Sequence, residues 1–336
     1  MKPADQAARR RILLSAGVSA ASIVFGQNIA QAQPAAYPKQ PIKMVIPFPP
    51  GGTLDAAMRP LCNVLSQGLG QPIILDYRSG ANGVIGAEYV ARAEPDGHTL
   101  LAVTASFALN ASMYKDLRYD TIKDFVPVTG IMQGAGFVMI VNPAVKAKNL
   151  QELIALDKNG AKLTYSSPGI GNTIHIASEL FNQRAGTRIL HIPYKGSSPS
   201  LNAVIGGEVQ VAIMPPAIAM PLIRTGKLRA LAFTGPMRLQ ELPEVPTMAE
   251  AGLKDFVFSG TWMGLFAPAG TPRLVVERLH AEVSKALQQP ALRQALAGAV
   301  AGYLPDGSPP EQFALQVQED VQRYGDILRK FNIKAE

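Results

Sequence analysis

Among its 336 residues the chain has one cysteine, one tryptophan, four histidines and only 17% Asp, Glu, Lys and Arg. Each scarcity removes a class of function. A lone thiol cannot close an internal disulfide, and Met58, Leu61 and Leu65 place Cys62 on an apolar helical face, unlike the electropositive, accessible setting that a catalytic thiolate needs. Charges are scattered singly, with no Lys/Arg stripe and interleaved aromatics to follow a nucleic acid. The four histidines are scattered, His98 in the Pro95-Asp96-Gly97-His98 turn and His175 in a helix, and His191 and His280 have no Cys or carboxylate at ligand spacing, so no metal site is expected. There is no G-x-S-x-G elbow, no P-loop and no H-E-x-x-H pattern. Gly80–Gly86 follows a strand and resembles a dinucleotide loop, but Ala81 stands where its first glycine belongs. No cofactor, no catalytic residue and no enzymatic activity are expected.

Long apolar runs are also missing, apart from Ile12–Phe25. Arg9, Arg10 and Arg11 precede that run and Ala30-Gln31-Ala32 follows it, which is the order of a signal peptide and too short to span a bilayer. Residues 1–32 are therefore expected to be removed on export to the periplasm; a general secretory route and a twin-arginine route both fit. Their loss lowers the formal charge from +7 to +4.

What is present is an alternation of short Val- and Ile-rich runs with segments of helical spacing, the signature of βαβ units. Strands are expected at 42–48, 73–77 and 100–103. Between the first two, Leu54, Met58, Leu61, Leu65 and Leu69 mark a helix with Thr53 as N-cap and Asp55 in its first turn. A second series has strands at 137–141, 163–166, 189–192, 209–213 and 228–233, with a helix opened by the Asn149 and Glu152 capping box. A strand at 257–266 and helices at 272–287 and 309–330 close the chain. The fold class is α/β with two lobes, each a mostly parallel sheet flanked by helices, and a ligand cleft between. Residues 33–130 and 240–336 would form lobe 1, and 131–239 lobe 2.

Ligands in such sheets bind beyond the carboxyl ends of the strands. The loops there are Pro49-Pro50-Gly51-Gly52-Thr53, Thr104-Ala105-Ser106 and Ser167-Pro168-Gly169-Ile170-Gly171-Asn172-Thr173. Two of them lead into helices, so backbone N–H groups, hydroxyls and a helix dipole converge on a site suited to an anion such as a carboxylate. His175 lies within a turn of Thr173, near that anion.

Several segments carry a family likeness: Ile46-Pro47-Phe48-Pro49-Pro50-Gly51-Gly52 with Asp55, Glu94-Pro95-Asp96-Gly97, and Lys123-Asp124-Phe125. Ile192-Pro193-Tyr194-Lys195-Gly196, Gly226-Lys227-Leu228-Arg229-Ala230-Leu231 and Ala267-Pro268-Ala269-Gly270-Thr271-Pro272 continue it. Through nearly all the mature chain, the sequence resembles the Bug-type extracytoplasmic solute receptors, the binding components of tripartite tricarboxylate transporters. The resemblance implies a periplasmic binding protein fold closing on one small organic acid, a membrane permease as partner, and a monomeric receptor. A sensory subunit for a membrane kinase is the alternative. It also implies ligand-binding roles for Phe48, Pro49, Gly51, Gly52, Thr53 and Asp55; for Thr104, Ala105 and Ser106; for Ser167, Gly169, Gly171, Asn172, Thr173 and His175; and for Tyr194 and Lys195. Met214 stands near where many relatives carry an Asp, and Leu54 and Ile170 replace polar residues. A less polar pocket is the expectation.

Overall fold

The Val- and Ile-rich runs fold as strands because β-branched side chains suit a pleated, buried surface. In the computed structural model, which describes residues 37–259 and 261–331, β1 (Ile42–Ile46) lies parallel to both β2 (Ile73–Tyr77) and β3 (Thr99–Thr104). The leader expected at 1–32 lies outside the described residues. After β1 the chain enters α1 (Thr53–Leu69), which buries Leu54, Met58, Leu61, Leu65 and Leu69 and stops at Gly70 in the left-handed conformation. Each such side chain contributes roughly 1.5–3 kcal/mol on burial. Cys62 is buried on the same helix, and burial pushes its thiol up to about 12.

Three further elements complete the first sheet. β3 leads into α3 (Ser106–Met113), following α2 (Val84–Ala91) earlier in the chain. β4 (Phe125–Gly134) and β10 (Thr261–Pro268) pair antiparallel, β10 pairs antiparallel with β3, and β11 (Tyr303–Pro305) edges β4. The order is β11-β4-β10-β3-β1-β2. Around it lie α8 (Arg273–Leu287), α9 (Pro290–Ala299) and α10 (Pro310–Phe331). α10 is pinned by Trp262, whose Nε1 donates to Asp320 at 2.6 Å.

The second sheet has the order β7-β6-β8-β5-β9, from β5 (Val138–Val141), β6 (Thr164–Ser167), β7 (Leu190–Pro193), β8 (Val211–Met214) and β9 (Arg229–Phe233). Its helices are α4 (Leu150–Lys158), α5 (Thr173–Ala185), α6 (Ser197–Gly206) and α7 (Pro216–Arg224). Asn149 caps α4 as expected, its Oδ1 accepting from the Glu152 N–H at 2.9 Å, but the return bond of the box shifts by one residue, with Glu152 Oε2 accepting from the Lys148 N–H at 2.7 Å.

Both sheets belong to one unit, Pro38–Glu336. Both are mixed: β2-β1-β3 and β7-β6-β8 are parallel, whereas the strands around the crossings, β4 with β10 and β5 with β9, run antiparallel. The first sheet keeps the chain as far as Gly134, because its ladder with β10 continues to Thr261. On the return path, Met248 and Phe258 donate backbone bonds to Phe233 and Thr234, each at 2.8 Å, so this stretch belongs with the second sheet. The chain thus passes between the two sheets at 135–137 and again after Phe258.

Candidate functional site

The carboxyl ends of β1 and β6 face each other across a cavity of about 60 Å³. From the first lobe, Phe48, Pro49, Gly52, Thr53, Leu54, Asp55 and Thr104 line it. From the second come Pro168, Asn172, Thr173 and Ile174, together with Gly196, Ser197, Ser198, Pro199 and Pro215. Phe137, Thr261, Met263 and Tyr303 come from the crossings and the strands beside them.

The first loop is held by a carboxylate. Asp55 Oδ2 accepts from the Gly51 N–H at 2.8 Å and from Arg59 Nε at 3.0 Å, and Oδ1 accepts from the Tyr77 hydroxyl at 2.6 Å. Burial pushes this carboxyl up, but the Gly51 N–H, the Tyr77 hydroxyl and the Arg59 guanidinium together hold it below its ordinary 3.8. Asp55 therefore organises the loop and has both oxygens occupied. Gly52, and not Thr53, is the N-cap of α1, and no side chain caps that helix. Thr53 is its first residue, 6% exposed, with an Oγ1 that has no partner. The expected hydroxyl cap is absent because a glycine in the capping position leaves Thr53 inside the first turn.

Across the cavity, α6 begins in the same way, with Gly196 as N-cap and no side-chain cap. The first amides of any helix lack an intrahelical acceptor. Two uncapped N-termini from opposite lobes thus present free donors and the positive ends of their dipoles to one space. α5 enters it as well, capped by Asn172, whose Oδ1 accepts from the Ile174 N–H at 3.0 Å.

The lobes touch through side chains around this space. Asn82 Nδ2 donates to the Gly171 carbonyl at 2.7 Å, and Asn172 Nδ2 donates to Asn82 Oδ1 at 3.2 Å. Ser198 Oγ donates to the Gly51 carbonyl at 3.1 Å, and the Thr173 N–H donates to Ser106 Oγ at 3.3 Å. Gly171 is required at its position: its φ is +73°, and a Cβ there would meet Met113 Cγ of the other lobe at 2.7 Å. Asn82 and its neighbour Ala81 are the only described non-glycine residues at positive φ, 52° and 45°. A left-handed Ala costs about 1–2 kcal/mol and draws attention to what the turn does. The Gly80–Gly86 segment is therefore an inter-lobe contact.

Other expected residues lie behind the cavity. Gly51, Ala105, Ser106, Ser167, Gly169 and Gly171 shape the loops without lining it. His175 is buried, and its Nδ1 accepts from the Gly171 N–H at 3.2 Å, so it braces the loop from beneath. Its ring stacks on His191 at 4.2 Å, and His191 stacks in turn on Tyr165 at 4.8 Å. Ser167 Oγ lies 2.6 Å from His191 Nε2. Burial lowers His175 to about 4, while burial and the neighbouring His175 lower His191 to about 3, so both rings are neutral near pH 7. Lys195 is exposed, and Tyr194 turns its hydroxyl to Glu208 at 3.4 Å; neither lines the cavity. Met214 is wholly buried in the core of the second lobe with Val138, Leu201 and Phe233, and the residue facing the cavity is Pro215. Alternation along β8 turns Met214 inward, which removes it from the argument about pocket polarity. Among the described residues no His, Cys, Asp and Glu cluster could hold a metal ion, and no helix is long and apolar enough to cross a membrane.

Residues 57–333 match the family model described as the tripartite tricarboxylate transporter family receptor. The chain belongs to this family. One relative is the protein BugT of Bordetella pertussis, 36% identical over 93% of this chain and 97% of its own. Two solved receptors of Rhodopseudomonas palustris share the fold. Rpa4515, solved with adipate, is 31% identical with a TM-score of 0.84 over 89% of this chain and 99% of its own. MatC (Rpa3494), solved with malate, is 31% identical with a TM-score of 0.80 over 87% and 100%. In this tripartite tricarboxylate transporter receptor, Phe137, Thr261, Met263 and Tyr303 escaped the sequence reading because strand crossings bring them in. Ser197 and Ser198 had a signal, since Gly196 followed within one turn by Pro199 marks a helix start.

Proposed function

We propose that the cavity captures a small organic carboxylate and that the closed receptor presents it to the membrane permease of a tripartite transporter. The supporting observation is the pair of uncapped helix N-termini, from opposite lobes, that share one cavity with the unpartnered Thr53 hydroxyl. Such ends favour an anion through free N–H donors and the aligned dipole. Because the donors sit on both lobes, one carboxylate completes contacts that neither lobe makes alone, and binding favours the closed form over the open one. Two related structures hold small organic acids, adipate in one and malate in the other. On this reading the chain is an exported, monomeric receptor that captures its acid without transforming it, and Asp55, bonded to Gly51 and Tyr77, serves to hold the first loop.

A thermal-shift panel of small carboxylates on the mature chain tests this reading. An acid at one hundred times its dissociation constant adds about 2.7 kcal/mol of stability. A midpoint unmoved by every acid of the panel, with adipate and malate included, contradicts it.

A further inference from the structure

The cavity places an acid of any kind against the same walls, and those walls differ in what they do to the rest of the ligand. We infer that this receptor selects acids with an uncharged, largely apolar body and rejects those bearing an ammonium group near the carboxylate. This rests on the carboxylate reading above.

Three observations carry it. First, the polar end is positive by construction, because the uncapped N-termini of α1 and α6 meet at it. The nitrogen of an α-amino acid is bonded to the carbon that bears the carboxylate, so it must enter the same positive region. Second, the one carboxylate among the described lining residues, Asp55, is already engaged by the Gly51 N–H, the Tyr77 hydroxyl and the Arg59 guanidinium that balances its charge. An ammonium would find hydroxyls but no free anion, and an unpaired buried charge is strongly unfavourable. Third, beside the hydroxyls of Thr104, Thr261 and Tyr303, the side chains of Phe48, Leu54, Phe137, Ile174 and Met263 line the cavity and offer a ligand body dispersion contacts and removal from water. Met214, where the sequence suggested an apolar substitution, takes no part, because it packs in the lobe core.

Calorimetry on the mature chain with matched acids reads the effect directly. The pairs are hexanoate with 2-aminohexanoate and 3-phenylpropanoate with phenylalanine, and 2-hydroxyhexanoate controls for bulk at the substituted carbon. Adipate and malate report carboxylate capture itself. The expected result is that hexanoate or 3-phenylpropanoate binds roughly a hundredfold tighter than its amino partner, while the hydroxy acid stays within about tenfold of hexanoate. Equal or tighter binding of the amino acids overturns the inference and leaves carboxylate capture standing. An equal loss for the hydroxy acid makes the discrimination steric and overturns the charge argument. Binding of adipate or malate with neither apolar acid overturns the preference for an apolar body. If no acid binds, the functional reading itself fails.

Discussion

Replacing Asn82 with Gly removes the amide that joins the two lobes and keeps a residue suited to the left-handed turn. This side chain makes two inter-lobe hydrogen bonds, to the Gly171 carbonyl and from Asn172, at 2.7 and 3.2 Å. At about 0.5–1.5 kcal/mol each, their loss disfavours closure by about 1–3 kcal/mol. If the acid binds the closed form, the dissociation constant rises by about 5- to 150-fold, mostly through faster dissociation. Asn82 also donates to Asn110 Oδ1 at 2.8 Å inside the first lobe, so thermal stability without ligand falls modestly. Asn82→Ala adds the steric cost of a side chain at φ 52° to both open and closed forms, and so lowers stability further while changing affinity to the same extent as Gly. Stopped-flow dissociation and calorimetry on the tightest acid of the panel separate the two effects. A dissociation constant and off-rate for Asn82→Gly within twofold of the parent's would refute a closing role for this amide.

Other outcomes follow from single groups. Thr53→Val keeps the shape and deletes an unpartnered hydroxyl, so calorimetry should show acid binding weakened by about 1.5–3 kcal/mol while the ligand-free melting midpoint holds or rises. Both stacked histidines have depressed values in the folded state, near 4 and near 3 against 6.5 unfolded, so the unfolded chain takes up protons first as pH falls. Their contribution to stability is complete above pH 6.5 and declines toward pH 4 by about 1.4 kcal/mol per unit for each ring. Urea unfolding at pH 7 and pH 5 measures that slope, and the double substitution His175→Gln, His191→Asn should flatten it. Cys62 should resist iodoacetamide in the native protein and react on unfolding, since burial holds it as the thiol.

Most strands of both sheets, though not β4 and β11, were legible because short β-branched runs ended at glycine and proline. α3 was not. Its residues Ser106–Met113 are buried on nearly every side, so no amphipathic rhythm distinguishes the helix from the end of a loop. β4 was missed for a different reason, since Pro127 and Gly130 break the pattern that its ladder with β10 sustains. At the site, the loops after β1 and β6 were legible from their glycines, whereas the direction of individual side chains was not. His175 and Met214 each sit next to a cavity-lining residue, yet helix pitch and strand alternation turn them into the core. The bond from Tyr77 to Asp55 depends on β2 lying beside β1, and the likeness between the starts of α1 and α6 is visible only once the lobes face each other.

A crystal structure of the mature chain grown with the tightest acid of the panel measures the central claim most directly. The account predicts carboxylate oxygens within hydrogen-bonding distance of the first amides of α1 and α6 and of Thr53 Oγ1, with the body of the acid against Phe137 and Met263. A carboxylate held by Lys195 or an arginine, or seated outside this cavity while those amides face only water, would contradict it.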